Sequence, residues 1–196
     1  AAAAMMEAID AAKVAGDTLG GIFVVRATGL PAGIGSNRQP ETRLDGVLAG
    51  ALMGMQTVKA VEVGDGAAPR AGSAAHDIFT AAGGSISRGS NRAGGIEGGM
   101  SNGQPVVLRA AVKPIPTLSK ALPSVNLHEG VNAPATVVRS DVCVVPAASL
   151  VGEAMVQLAL MAPVLEKYGG DSLEETQDNL RRSRDAAANL FDKTPS

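Results

Sequence analysis

Residues 91–117, NRAGGIEGGMSNGQPVVLRAAVKPIPT, hold the densest set of chemically useful groups in the chain. Gly94, Gly95, Gly98, Gly99 and Gly103 precede an apolar run that ends on Lys113. Glycines at that density permit positive φ and let backbone N–H groups approach an anionic ligand, and the lysine adds fixed positive charge just beyond them. A second constellation, Arg139-Ser140-Asp141, sets a guanidinium and a carboxylate two residues apart. On an extended chain the two share a face, so they either reach one ligand together or pair with each other as a structural ion pair; the residues alone leave both readings open. His76 adjoins Asp77. That pairing either orients an imidazole for proton transfer or is a surface histidine in a polar loop. His128 is far away and isolated, so no metal site is expected.

The elements that must position these groups are legible as periodicities. Residues 105–112, rich in valine and alanine, read as a strand delivering Lys113. Leu44, Val47, Leu48, Ala51, Leu52 and Met55 keep the spacing of a buried helical stripe, with Thr42 and Asp45 as its expected cap. TVKAVEV, residues 57–63, alternates like a half-buried strand and ends in the turn Gly64-Asp65-Gly66. Residues 20–28 read as another strand, and GLPAGIGSN, residues 29–37, as a loop that lines a site or merely turns. Residues 1–20 read as a helix with Met5, Ile9 and Ala12 on one face, stopped at Gly16, and its lead-in. Residues 67–92 lose periodicity and are expected to form a long loop or flap. Residues 118–133 read as irregular, leading to a strand over 135–138.

Residues 146–168 are apolar almost all round, with Leu150, Val151, Ala154, Met155, Leu158 and Leu165 among the expected buried positions. Such a helix needs cover on every side, as in a central layer or a subunit interface. Glu153, Gln157 and Pro163 favour a buried helix over a membrane span. Ser172 and Glu175 predict a capping box for a last helix over 173–191, with RRSRD as its solvated face and a frayed tail. The whole, residues 1–196, is expected to be a single domain.

Composition narrows the function classes. A net charge of -2 and 2% aromatic residues provide neither a field for phosphate backbone nor a stacking platform, so no nucleic-acid partner is expected. The single cysteine, Cys143, cannot close an internal disulfide, and AAAAMMEAID lacks a basic segment before an apolar one; a cytoplasmic location is expected. Glycine and proline, 24 and 11 residues, show no period and so point to turns and loops.

NRAGGIEGGMSNGQP, AAVKPIPT, RSDVCVVPAA and EKYGGDSLEET, in this order, resemble the second half of chorismate synthase of the actinobacterial type. Upstream, AGDTLGG, GLPAGIGS, RLDGVLAGALMGMQTVKAVEVGDG and HDIF follow the same family, so the resemblance covers residues 7–176. It implies an α+β layered sandwich with long central helices packed against antiparallel β-sheets. It further implies a homotetramer with a site near subunit contacts, acting on 5-enolpyruvylshikimate 3-phosphate to remove phosphate and a ring proton and give chorismate. The implied cofactor is reduced FMN, with NADPH a candidate reductant, and no net redox change. Carried over by position, the flavin residues are Gln56, Thr57, Gly98, Lys113, Pro114, Ile115, Pro116, Thr117 and Arg139. Asp141 is the expected catalytic carboxylate, a buried group beside the flavin that manages the ring proton. Gly98, Lys113 and Arg139 are thus expected to converge on one ligand. The chain departs from the family at Asn37, where a histidine is common, and at Pro116, where a serine is usual. The Ser-His motif, second histidine and arginines of the family's first half have no counterpart in residues 1–20, which leaves a non-catalytic flavin-binding or assembly module as the alternative.

Overall fold

In a computed structural model of the protein, which describes residues 1–66, 68–82 and 85–188, the chain begins with helix α1 (Ala2–Val14) and strand β1 (Gly21–Ala27). Helix α2 (Leu44–Met53) and β2 (Val58–Val63) follow, then a short α3 (Gly72–Ala75) and the strands β3 (Phe79–Ala82) and β4 (Ser85–Arg88). After them come β5 (Ile96–Glu97), β6 (Met100–Ser101), β7 (Val106–Val112), β8 (Pro123–Asn126) and β9 (Val131–Pro134). Two helices close the described chain, α4 (Val145–Tyr168) and α5 (Leu173–Ala188).

The alternation in VVLRAAV makes β7 the centre of an antiparallel sheet of order β1-β7-β2. Its register runs from Gly21 opposite Val112 to Ala27 opposite Val106, and on the other side from Val58 opposite Val112 to Val63 opposite Leu108. One sheet face, with Phe23, Val25, Val58, Leu108 and Ala110, packs on Leu44, Leu48 and Leu52 of α2 and Val156 and Leu160 of α4. The three α2 leucines recur every fourth residue and are wholly buried, each contributing about 1.5–3 kcal/mol of transfer free energy. The fold is α+β, as expected, with two helices over one antiparallel sheet.

Where α4 crosses β1 the contact is set by Gly152, at which a Cβ would stand 2.5 Å from the Phe23 ring. Gly152→Val is therefore expected to lower the urea midpoint by the equivalent of about 1–3 kcal/mol. Gly50→Ala on α2, with open space at the Cβ position, should instead leave stability unchanged or raise it by up to about 1 kcal/mol through helix propensity. Urea unfolding of the two variants side by side checks both.

Several local expectations are corrected. Leu150 and Leu158 are each 70% exposed, Val151 and Leu165 are also exposed, and Met155 is half-buried, while the buried face of α4 is Gly152, Val156, Leu160 and Pro163. A single sheet covers only one side of an all-apolar helix. Within residues 67–92, β3 and β4 pair as a hairpin from Phe79 opposite Arg88 to Ala82 opposite Ser85. Within 118–133, β8 and β9 pair as a second hairpin, whose turn is closed by the Gly130 N–H to the Asn126 carbonyl and by the His128 N–H to Asn126 Oδ1. Residues 135–138 are not a strand; the Ala135 N–H bonds the Leu122 carbonyl at 2.8 Å, no ladder continues from it among the described residues, and Val137 and Val138 remain exposed. Thr42 does not cap α2, because its hydroxyl bonds the Gln39 carbonyl within a 3-10 turn (Pro40–Thr42) and Asp45 is taken by Arg43. The Ser172 cap on α5 does form, its Oγ accepting the Glu175 N–H at 3.2 Å.

Candidate functional site

At the end of β7 the ladder closes on an unusual residue. The Lys113 N–H donates to the Thr57 carbonyl at 2.9 Å, and Thr57, with φ 74, is the one non-glycine residue at positive φ among the described residues. A β-branched side chain in that region is strained, and such strain collects at ligand sites. Gln56 is exposed beside it. Pro114 and Pro116 carry no N–H, so residues 113–117 cannot extend the sheet. They are held instead from outside: the Ile115 carbonyl accepts the Thr18 hydroxyl at 2.7 Å, and the hydroxyls of Thr117 and Ser140 lie 2.6 Å apart. Arg139 and Asp141 flank Ser140, with Nη2 and Oδ1 4.0 Å apart and side chains 91% and 72% exposed. Asp141 is thus not buried within this chain, and its ion pair is the loose, solvated kind worth about 0–1 kcal/mol.

All the expected site residues except Gly98 are therefore joined, through Thr57, Lys113, Thr117 and Ser140, into one patch. Gly98 lies elsewhere. With Gly99 it forms the two-residue turn of the β5–β6 hairpin, both at positive φ (60 and 85), the conformation of a type I′ turn. The Gly99 carbonyl accepts the Leu44 N–H at 2.8 Å at the start of α2, whereas Thr57 follows the end of α2. Ten helical residues span about 15 Å, so the Gly98 turn belongs with the start of α2, and Thr57 and Lys113 with its end.

The loop 29–37 proves to be the partner of the glycine hairpin. The Gly33 N–H donates to the Ser101 carbonyl, the Ser101 N–H to the Ile34 carbonyl, and the buried Ser101 hydroxyl bridges the Pro31 carbonyl and the Ile34 N–H. Lys167, in the last turn of α4, donates to the Ala32 and Gly33 carbonyls.

Asp77 is a residue whose role the sequence concealed. Its carboxylate accepts the Ser90 hydroxyl and the N–H groups of Arg92 and Ala93, and it makes no bond to the exposed His76 imidazole. Its task is to fix the entry to the glycine segment. Burial alone would push its carboxyl pKa up, but the Ser90, Ala93 and Arg92 hydrogen bonds and the Arg88 charge outweigh this and hold it below the ordinary carboxylate value. A carboxyl depressed on folding contributes stability that is complete above its unfolded value of about 3.9 and is lost as pH falls through the folded one. The Arg92 and Ala93 amides should accordingly lose hydrogen-exchange protection below about pH 4, and Asp77→Asn should remove that pH dependence.

The chemistry on offer is positive charge and hydroxyl donors at the surface. Two exposed cations, hydroxyls and a strained backbone turn project from the end of an antiparallel sheet, and among the described residues Lys113 makes no ion pair. Among the described residues no group of His, Cys, Asp and Glu is arranged to hold a metal ion. The fold is α+β, with this polar patch at the end of its antiparallel sheet. Comparison with known proteins makes this specific. Residues 1–165 match the family model described as chorismate synthase. The chain is 54% identical over 196 residues to the chorismate synthase of Corynebacterium diphtheriae, covering 99% of this chain and 47% of that protein. It is also 54% identical over 182 residues to that of Desulforamulus reducens, covering 91% and 47%. A crystal structure of chorismate synthase superimposes with a TM-score of 0.74 at 40% identity, covering 91% of this chain and 47% of that one. The chain belongs to the chorismate synthase family, and it spans about half the length of the curated relatives it matches.

Proposed function

We propose that this chain supplies the flavin-holding half of a chorismate synthase, a carbon–oxygen lyase that eliminates phosphate from 5-enolpyruvylshikimate 3-phosphate to give chorismate in aromatic amino-acid biosynthesis. The observation that carries the reading is the patch itself: the residues carried over to flavin at 56–57, 113–117 and Arg139, with Asp141 carried over as the catalytic carboxylate, meet at one end of the sheet. The patch fits an anionic, planar group bearing a phosphate. Lys113 and Arg139 provide the charge, Arg139 with a planar fork of donors, and the Thr117 and Ser140 hydroxyls orient the ligand between them. Reduced FMN, when bound, supplies electrons that are returned within each turnover, with NADPH a candidate source of the reduced form. Asp141, two residues from Arg139 on the same segment, accepts the ring proton at a carboxylate oxygen.

Gly98 belongs to the same site in this reading, but through a neighbouring subunit or the remaining half of the enzyme. Its turn is open, with nothing within 4 Å of its Cβ position. Assembly is supported by the exposed apolar stripe Leu150, Leu158, Met161 and Leu165 on α4, which fits a subunit contact in a homotetramer.

The test is a titration of FMN into the chain, followed by an assay for chorismate after mixing with the separately produced N-terminal half of the Corynebacterium diphtheriae enzyme. Weak FMN binding alone and turnover on mixing is the expected result. FMN binding without turnover on mixing would identify a non-catalytic flavin-binding or assembly module, and full activity of the chain alone would refute the division of labour.

A further inference from the structure

Resting on the flavin reading above, one more role emerges from how the patch is held together. Residues 16–20 lie between its two arms and touch both. On one side the buried Thr18 donates its hydroxyl to the Ile115 carbonyl at 2.7 Å, the Gly16 carbonyl accepts the Ser119 N–H at 3.1 Å, and the Asp17 carboxylate pairs with Lys120. Gly20 lies so close to the same arm that a Cβ would approach the Val112 carbonyl oxygen to 2.3 Å. On the other side the Leu19 N–H donates to the Val142 carbonyl at 2.8 Å, and Leu19 forms a parallel bridge with Cys143. Neither arm has a sheet to hold it. Residues 113–117 contain two prolines and leave the ladder at Lys113, and residues 136–141 pair with no strand among the described residues. Apart from residues 16–20, the direct tie between the arms among the described residues is the hydrogen bond between the exposed Thr117 and Ser140 side chains.

We propose that Asp17-Thr18-Leu19 is a clip that sets the spacing between residues 113–117 and residues 139–141, with Thr18 a positioning residue for flavin binding. Thr18 itself does not face the ligand: its hydroxyl is spent on Ile115 and its N–H on Asp17 Oδ1 at 2.9 Å. It acts by fixing where Lys113 and Arg139 stand relative to each other, because a phosphate gripped by both loses one contact when that spacing drifts.

Thr18→Val keeps the shape and removes the hydroxyl, while Thr18→Ser keeps the hydroxyl. Amide hydrogen exchange in residues 16–20, 112–120 and 139–143, together with FMN titration of the same chains, reads both parts of the inference. The valine variant should exchange on the order of tenfold faster at Leu19 and Ser119, the factor contributed by one neutral buried hydrogen bond, and bind FMN weaker by a similar factor. The serine variant should restore both to within about twofold. Unchanged exchange in the valine variant overturns the clip. Faster exchange with unchanged FMN affinity overturns the positioning role. A parent chain that shows no FMN binding, yet loses protection in the valine variant, refutes the flavin reading and leaves the clip standing. Should Thr18→Val fail to fold, Asp17→Asn at the exposed Lys120 pair reads the same quantities, with a severalfold effect expected and no effect counting against the clip.

Discussion

Asp141→Asn is expected to lower chorismate formation in the two-half enzyme by about 10²- to 10⁴-fold, the range lost when a positioned proton-transfer group is removed. The substitution preserves shape and leaves a hydrogen-bonding amide, so what disappears is the capacity to take up a proton. Nothing in the packing should confound the result. Asp141 is 72% exposed, and its contact with Arg139, at 4.0 Å, is too solvated to carry much stability. The melting temperature should stay within a few degrees, and FMN affinity within about threefold. Arg139→Ala should divide the effects differently, weakening FMN binding by about 10- to 100-fold through loss of charge-assisted hydrogen bonds. The comparison needs both variants assayed for FMN binding and for turnover. Undiminished turnover in Asp141→Asn would remove Asp141 from the chemistry, and a parallel fall in FMN affinity would make it a binding residue.

The contrast between what was and was not legible in the sequence follows from where the information resides. Local periodicity is written into the residues: β7 announces itself in VVLRAAV, and the α2 leucines announce a buried helix face. The glycine hairpin was visible as a glycine cluster, but its partner, residues 29–37, is joined to it by backbone hydrogen bonds that leave no trace in side-chain type. The β8–β9 hairpin is hidden because its strands, PSVN and VNAP, are four residues long, each contains a proline, and the turn between them is closed by an Asn126 side chain. For α4 the composition signalled a need for cover without saying which face this chain itself would cover. The flavin residues were located by resemblance. Only the fold shows that most of them form one patch at the end of α2 while Gly98 turns beside its start. The motif AGDTLGG carried no chemical signal at all, since a threonine hydroxyl aimed at a distant carbonyl cannot be inferred from its neighbours in sequence.

Gly94 and Gly98 provide the sharpest separation of structural from functional demand, because both sit at φ near 60 and differ only in their surroundings. Any L side chain at either position incurs the left-handed penalty of about 1–2 kcal/mol. At Gly94 the backbone of the β2 turn leaves no room: a Cβ would lie 2.3 Å from the Gly64 nitrogen, and Gly64 reciprocally has the Arg92 carbonyl oxygen 2.1 Å from its own Cβ position. Backbone cannot move aside as a side chain can, so Gly94→Ala adds overpacking of about 1–3 kcal/mol and should cost about 2–5 kcal/mol in all. That is a large share of the stability of a small domain, and part of the variant should populate the unfolded state in mild urea. At Gly98 the Cβ would point into open space, so Gly98→Ala should lose only the conformational part. A larger side chain there, Gly98→Leu, should fold nearly as well as the alanine variant while obstructing whatever approaches the turn. Urea midpoints establish the first half of the contrast. FMN affinity and turnover in the assembled enzyme establish the second, with Gly98→Leu expected to lose at least tenfold in FMN binding, whereas unimpaired binding would reduce Gly98 to a residue of the hairpin turn alone.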